Sequence, residues 1–190
     1  MEAGVQLESQ EQGQPQYTPL NSNDFQLIPY AEVKGEWTLP EHFVRAAYQQ
    51  MVVEGNADTV FIDGSVRDED EFLEVVQRKS NVVVFALRLG ELLGVAWLNG
   101  WQGKSAYGHF CFMREASVSQ STIEMGREII RYWLSFPTVE FILGVVPAFN
   151  TLAINFVQSI GFKKVGAIPG MIEGPKGRAA AVIFYTTEDG

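Results

Sequence analysis

Residues 141–162 read FILGVVPAFNTLAINFVQSIGF. An apolar, β-branched run from Phe141 to Val146 ends at Pro147, and a helical pattern opens at Asn150 and stops at Gly161. Such a change of period, with both ends marked, describes a buried strand that turns into a capped helix. Asn150 is the natural N-cap, because its side-chain oxygen can accept from first-turn backbone N–H groups. Gly161 can take the left-handed conformation that closes a helix. Ala153, Val157 and Ile160 then share one helix face.

Upstream of this unit, Ser121 and Glu124 fit a capping box, and Ile123, Gly126, Ile130 and Trp133 recur at helical steps up to Phe136 and Pro137. Before that helix lie three strand-like runs. Val82 to Leu89 and Leu92 to Leu98, separated by Gly90-Glu91, read as a β-hairpin; after the Asn99-Gly100 turn signal, Ala106 to Met113 reads as the next antiparallel member. Alternation places Tyr107, His109, Cys111 and Met113 on one face of that strand and Phe110 and Phe112 on the other.

Earlier still, Leu39 to Val53 and Asp68 to Lys79 carry helical spacing. The first has Pro40 at its start and Gly55 as its stop, and the second has an acidic first turn that complements the helix dipole. Phe25, Leu27 and Tyr30 suggest a first strand, demoted to an edge by Pro29. Downstream, Lys163 to Ile168 and Ala179 to Thr187 read as two closing strands around a loop that holds Lys176 and Arg178. Residues 1–23 are rich in Gln, Glu, Ser, Pro and Gly and offer little to bury, so they read as a flexible tail ahead of one domain over 24–190.

At 190 residues and 46% apolar content the chain can form one domain with a full core. A formal net charge of -9 argues against binding to nucleic acid or anionic membrane, both of which need basic surface. The single cysteine, Cys111, excludes an intrachain disulfide and a cysteine-based zinc cluster. His42 has no spacing partner, so no metal site is expected. No apolar run nears the roughly 18 residues that span a bilayer, and no targeting signal is visible, so the expectation is a cytoplasmic protein.

The 150–162 segment resembles the late motif of the GNAT acyltransferases: an Asn, Ala three residues on, a Tyr seven on, and Gly-Phe eleven and twelve on. Asn150, Ala153, Gly161 and Phe162 match, and Val157 stands in place of the tyrosine. The order of elements over about 25–187 fits the same family. The chain is also similar to compact GNAT-like proteins of tailed phages, which share an aromatic strand around a His-Phe pair, here His109-Phe110.

The resemblance implies an α/β (α+β) acyl-CoA N-acyltransferase fold, with a mixed central sheet flanked by helices and splayed between its fourth and fifth strands. It further implies acetyl-CoA or another acyl-CoA as cofactor and an amine, small-molecule or protein, as acceptor. It also leaves a homodimer open. The cofactor's pyrophosphate is expected at the helix that follows the fourth strand, where unpaired N–H groups and the dipole favour anions. The family signature there is Arg or Gln, two residues, Gly, one residue, Gly or Ala. Its counterpart is Arg114 to Ser119, with Ser117, Val118 and Ser119 as candidate contacts and serines where the family has glycines.

Asn150 is a candidate cofactor contact as well as a cap. His109 is the candidate general base, since imidazole titrates near neutral pH; a half-buried structural histidine is the competing reading. Cys111, two residues on, reads either as a thiol nucleophile or as a buried inert side chain. Three functions compete: an N-acyltransferase, a GNAT-like binding or structural protein that has lost turnover, and an interaction scaffold whose Gln-rich tail binds a partner.

Overall fold

The computed structural model describes residues 25–117, 121–174 and 177–188. Its frame is a seven-stranded sheet in the order β1-β4-β5-β6-β7-β9-β8, built from β1 (Gln26–Tyr30), β4 (Val82–Arg88), β5 (Glu91–Gln102), β6 (Ser105–Phe112), β7 (Phe141–Pro147), β8 (Lys163–Gly174) and β9 (Gly177–Thr186). Two short strands, β2 (Glu32–Val33) and β3 (Glu36–Trp37), form a separate hairpin. All pairings are antiparallel except β6 with β7, which a helical crossover joins and which run parallel.

Helices cover both faces. On one lie α1 (Glu41–Val53), α2 (Ala57–Val60) and α3 (Glu69–Gln77); on the other lie α5 (Ser121–Leu134) and α6 (Thr151–Ser159). A one-turn helix, α4 (Arg114–Ser117), links β6 towards α5. Because both faces are covered, β4 is apolar almost throughout: Val83, Phe85 and Leu87 enter the core under α1 and α3, and Val84 and Ala86 enter the core under α5. The alternation on β6 likewise puts Cys111 and Met113 in the first core, while Phe110 and Phe112 pack against the second.

Helix ends follow their side chains. The Asp68 side chain accepts from Glu71 N and caps α3, and Asn150 Oδ1 accepts from Ala153 N at 3.0 Å and caps α6. Gly161, at φ +107°, closes α6. At Gly126 a Cβ would meet Phe156 Cζ at 2.8 Å and Ile160 Cγ2 at 2.9 Å, so the bare backbone lets α5 and α6 touch.

The structure departs from the sequence reading at Asn99-Gly100. No turn forms there: β5 runs on to Gln102, the reversal falls at Gly103-Lys104, and Gly100 takes φ +60° inside a register shift between Asn99 and Gln102. An Asn-Gly pair supplies positive φ equally well to a bulge, and with a second turn signal three residues on, the bulge uses it. The β2–β3 hairpin, α2 and α4 are likewise additions to the elements read from periodicity, each too short to show a period.

Candidate active site

The β6–β7 ladder is short. It runs through Ser105↔Phe141, Ala106↔Ile142 and Tyr107↔Leu143 and then stops, although both strands continue. Beyond it, from Gly108 on β6 and Gly144 on β7, the two edges separate. β7 keeps its other edge paired to β9 as far as Pro147↔Ala181. Gly108 sits at the parting point: a Cβ there would meet Ile142 Cγ2 at 2.9 Å and Trp133 Cζ3 at 3.4 Å, so the packing of these two side chains against β6 needs a residue without one.

The opening is a cavity of about 140 Å³ walled by both strands. Thr59 and Val60 of α2 line it on one side of the sheet, and Asn150, Ala153, Phe156 and Val157 of the α6 region line it on the other. His109 belongs to its lining. Sequence reasoning missed Thr59 and Val60, because α2 spans a single turn and carries no periodic signal.

His109 is held tightly. Its ring stacks on Trp97, the residue opposite it on β5, with centroids 5.0 Å apart and planes 8° from parallel. Its Nε2 lies 2.9 Å from Asn99 Oδ1. Burial disfavours the imidazolium and pulls the pKa down to about 4, against a smaller opposing pull from Asp63. The ring is therefore neutral at physiological pH and able to accept a proton. Asp63 lies on the α2–α3 connection, and its carboxyl is held below the usual range chiefly by the Ser65 hydroxyl.

Cys111 is the opposite case. It is buried, and burial raises its thiol to about 12, with Glu54 adding to the effect. A thiol so protonated is no nucleophile, so the inert reading of this residue holds.

Val157 is buried, at 6% exposure, and lines the cavity, so an aliphatic side chain stands where the resembled motif has a tyrosine. Arg114 opens α4 as an exposed residue whose backbone N–H donates to Glu54 Oε2 at 2.7 Å. Asn56 Nδ2 donates to the same carboxylate oxygen and to Phe112 O, which ties the end of β6 to the α1–α2 connection. Ser117 ends α4, and the candidate contacts Val118 and Ser119, like the loop residue Lys176 and the stretch 1–23, lie outside the described residues. The structure thus brings His109 and Asn150 to one cavity. Among the described residues no group of three or more His, Cys, Asp or Glu side chains gathers as a metal site. Nor is any helix there long and apolar enough to cross a membrane.

No protein-family model matches the chain, and no curated protein matches it in sequence. Solved structures do match it in shape. The spermidine N-acetyltransferase of Vibrio cholerae, solved with CoA and spermine, is 14% identical with a TM-score of 0.66, and the match covers 86% of this chain and 96% of that one. The Salmonella typhimurium acetyltransferase that modifies the N-terminal serine of ribosomal protein L7/L12 is 13% identical with a TM-score of 0.69, over 87% and 96% of the two chains. A GNAT-family acetyltransferase from Streptococcus pneumoniae is 13% identical with a TM-score of 0.65, over 85% and 98%. At these identities the likeness is one of fold.

Proposed function

From the fold that this chain shares with the GNAT acetyltransferases, we propose that it is an acyl-CoA-dependent N-acyltransferase acting on an amine. The observation that carries this reading is the parallel β6–β7 pair that parts after Tyr107↔Leu143 and opens on a cavity holding His109.

The residues fit the cofactor at its linear end. Where two strands part, their facing edges carry backbone N–H and C=O groups free to pair with an extended amide-bearing chain, as in any strand addition. The edges from Gly108 and from Gly144 onward offer this. Gly144 leaves its wall smooth, and a Cβ there would make only ordinary contact, 3.5 Å from Phe162. Asn150 stands at the cavity with its cap bond made. When bound, acyl-CoA supplies an acyl group activated as a thioester.

His109 takes up the proton that the amine must lose. A base with a pKa of about 4 is far too weak to strip an alkylammonium, whose pKa is about 10.4. The acceptor therefore enters as the free amine, and His109 accepts the proton as N–C bond formation makes the nitrogen acidic. The protonated ring is then a strong acid, suited to passing the proton on to the departing sulfur. No tyrosine is needed at position 157 for that transfer.

Two measurements test the reading. Acetyl-CoA should raise the melting temperature of the full chain, and free thiol should appear when acetyl-CoA is mixed with a panel of polyamines, amino acids and peptide N-termini. Protection without thiol release from any amine would leave a binding protein; neither effect would remove the cofactor site.

A further inference from the structure

Asn99 and His109 are not neighbours in sequence, and the Asn99-Gly100 pair reads as a turn until the structure is seen. In the sheet, Asn99 lies opposite Tyr107, two residues along β5 from Trp97, which lies opposite His109. Residues two apart share a face, so Asn99 and Trp97 rise on the same side of the sheet as His109. Trp97 supplies a flat support at 5.0 Å, and Asn99 Oδ1 supplies an in-plane partner at 2.9 Å. A ring stacked on one neighbour and hydrogen-bonded by another keeps little rotational freedom.

The bond also has a direction. A carboxamide oxygen only accepts, so the imidazole nitrogen facing it must carry the hydrogen. A neutral imidazole has one N–H, and with Nε2 protonated the lone pair resides on Nδ1. Among the described residues no hydrogen bond engages Nδ1. We infer that Asn99 is a positioning residue for His109: its side-chain oxygen fixes the Nε2–H tautomer and leaves Nδ1 as the proton acceptor at the cavity. This inference rests on the acyltransferase reading for its role, and on the geometry alone for the tautomer.

The proton balance is simple. The amine nitrogen gives one proton to Nδ1 as it bonds to the acyl carbon, the ring becomes an imidazolium with both nitrogens protonated, and Nδ1 returns the proton to the sulfur released from that carbon. Asn99 gains and loses nothing, and its oxygen stays an acceptor throughout. The charged and titratable groups around the ring are Asp63 from the α2–α3 connection and Cys111 on the same face of β6, with Glu54 acting on Cys111 in turn.

The decisive experiment is a nitrogen-15 titration of the two histidine rings in the full-length chain, with His109 assigned by His109→Gln. In the wild-type protein at neutral pH, the Nε2 of His109 should appear protonated and Nδ1 unprotonated. Asn99→Leu should mix the tautomers and lower kcat roughly 10- to 100-fold, the scale seen when an imidazole loses an orienting partner, with the KM for the amine little changed. Asn99→Asp keeps an acceptor oxygen and adds charge, so it should hold the tautomer and move the acidic limb of the pH–rate profile up by about 1 to 3 pH units.

An Nδ1–H tautomer in the wild-type protein would overturn the inference whatever the activity. So would an Asn99→Leu protein that only melts earlier, with ring nitrogens and kcat unchanged. So would wild-type turnover that survives His109→Ala. If the wild-type chain transfers no acyl group to any amine, the acyltransferase reading falls with the role, and the ring spectrum still decides the tautomer.

Discussion

Strand β6 has two edges, and they behave differently. Along β5 it is paired without interruption from Gly94↔Phe112 to Asn99↔Tyr107; along β7 it is paired only from Ser105↔Phe141 to Tyr107↔Leu143. The β5 edge belongs to a hairpin, whose turn fixes the register, and antiparallel pairing then propagates. The β7 edge belongs to a crossover through α5, so no turn enforces its register, and the pairing stops after Tyr107↔Leu143. One edge holds the fold together, and the other leaves backbone groups and a cavity available.

The largest expected effect falls where the two edges meet function. His109→Ala should lower kcat by about 100- to 10,000-fold, the usual contribution of a general base, in a thiol-release assay at saturating acetyl-CoA.

Next is acid. The free imidazole titrates at 6.5 and the folded one at about 4, so the unfolded chain takes up the proton first. Stability should therefore fall as pH drops from about 6.5 to about 4, and the part of the loss that belongs to this ring should level off below. The gap, at about 1.4 kcal/mol per pH unit, amounts to about 3 kcal/mol. Urea midpoints across that range should show the loss, and His109→Gln should flatten it; an unchanged slope would mean the ring is not desolvated.

The glycines sharpen the contrast. On the closed edge, Gly94→Ala puts a Cβ 2.6 Å from Phe112 Cδ1 and 2.8 Å from the Cys111 carbonyl oxygen, and should cost about 1–3 kcal/mol by urea unfolding. On the open edge, Gly144→Ala meets nothing nearer than 3.5 Å and should shift stability by less than about 0.5 kcal/mol while raising the KM for acetyl-CoA.

Between these fall the caps. Asp68→Ala and Asn150→Ala should each cost about 1 kcal/mol, but only the second, at the cavity, should also weaken CoA binding in calorimetric titration. Equal CoA affinities would reduce Asn150 to a cap.

These contrasts were partly legible in the chain. The strand-helix unit of 141–162 carries its own punctuation, and Asn150 and Gly161 do in the structure what their chemistry suggests. The two faces of β6 follow from alternation alone, and the parallel β6–β7 neighbours follow from the helix between them. What stayed hidden depends on distant pairing. Asn99 was visible only as a turn former, because nothing local says that β5 will run through it to lie opposite Tyr107. Thr59 and Val60 reach the cavity from a one-turn helix that has no period to detect. Gly108 leaves room for the Ile142 and Trp133 side chains where the β6–β7 ladder stops, and these three residues converge only in the fold.

The burial of Cys111 has a use at the bench. The chain's one sulfhydryl is shielded at 3% exposure, and burial pushes its pKa up to about 12, so thiolate-seeking dyes find almost none of it at neutral pH. The folded protein should be optically silent towards such reagents. Colour that develops only with acceptor amine present would report on turnover, and slow colour independent of acceptor on unfolding instead.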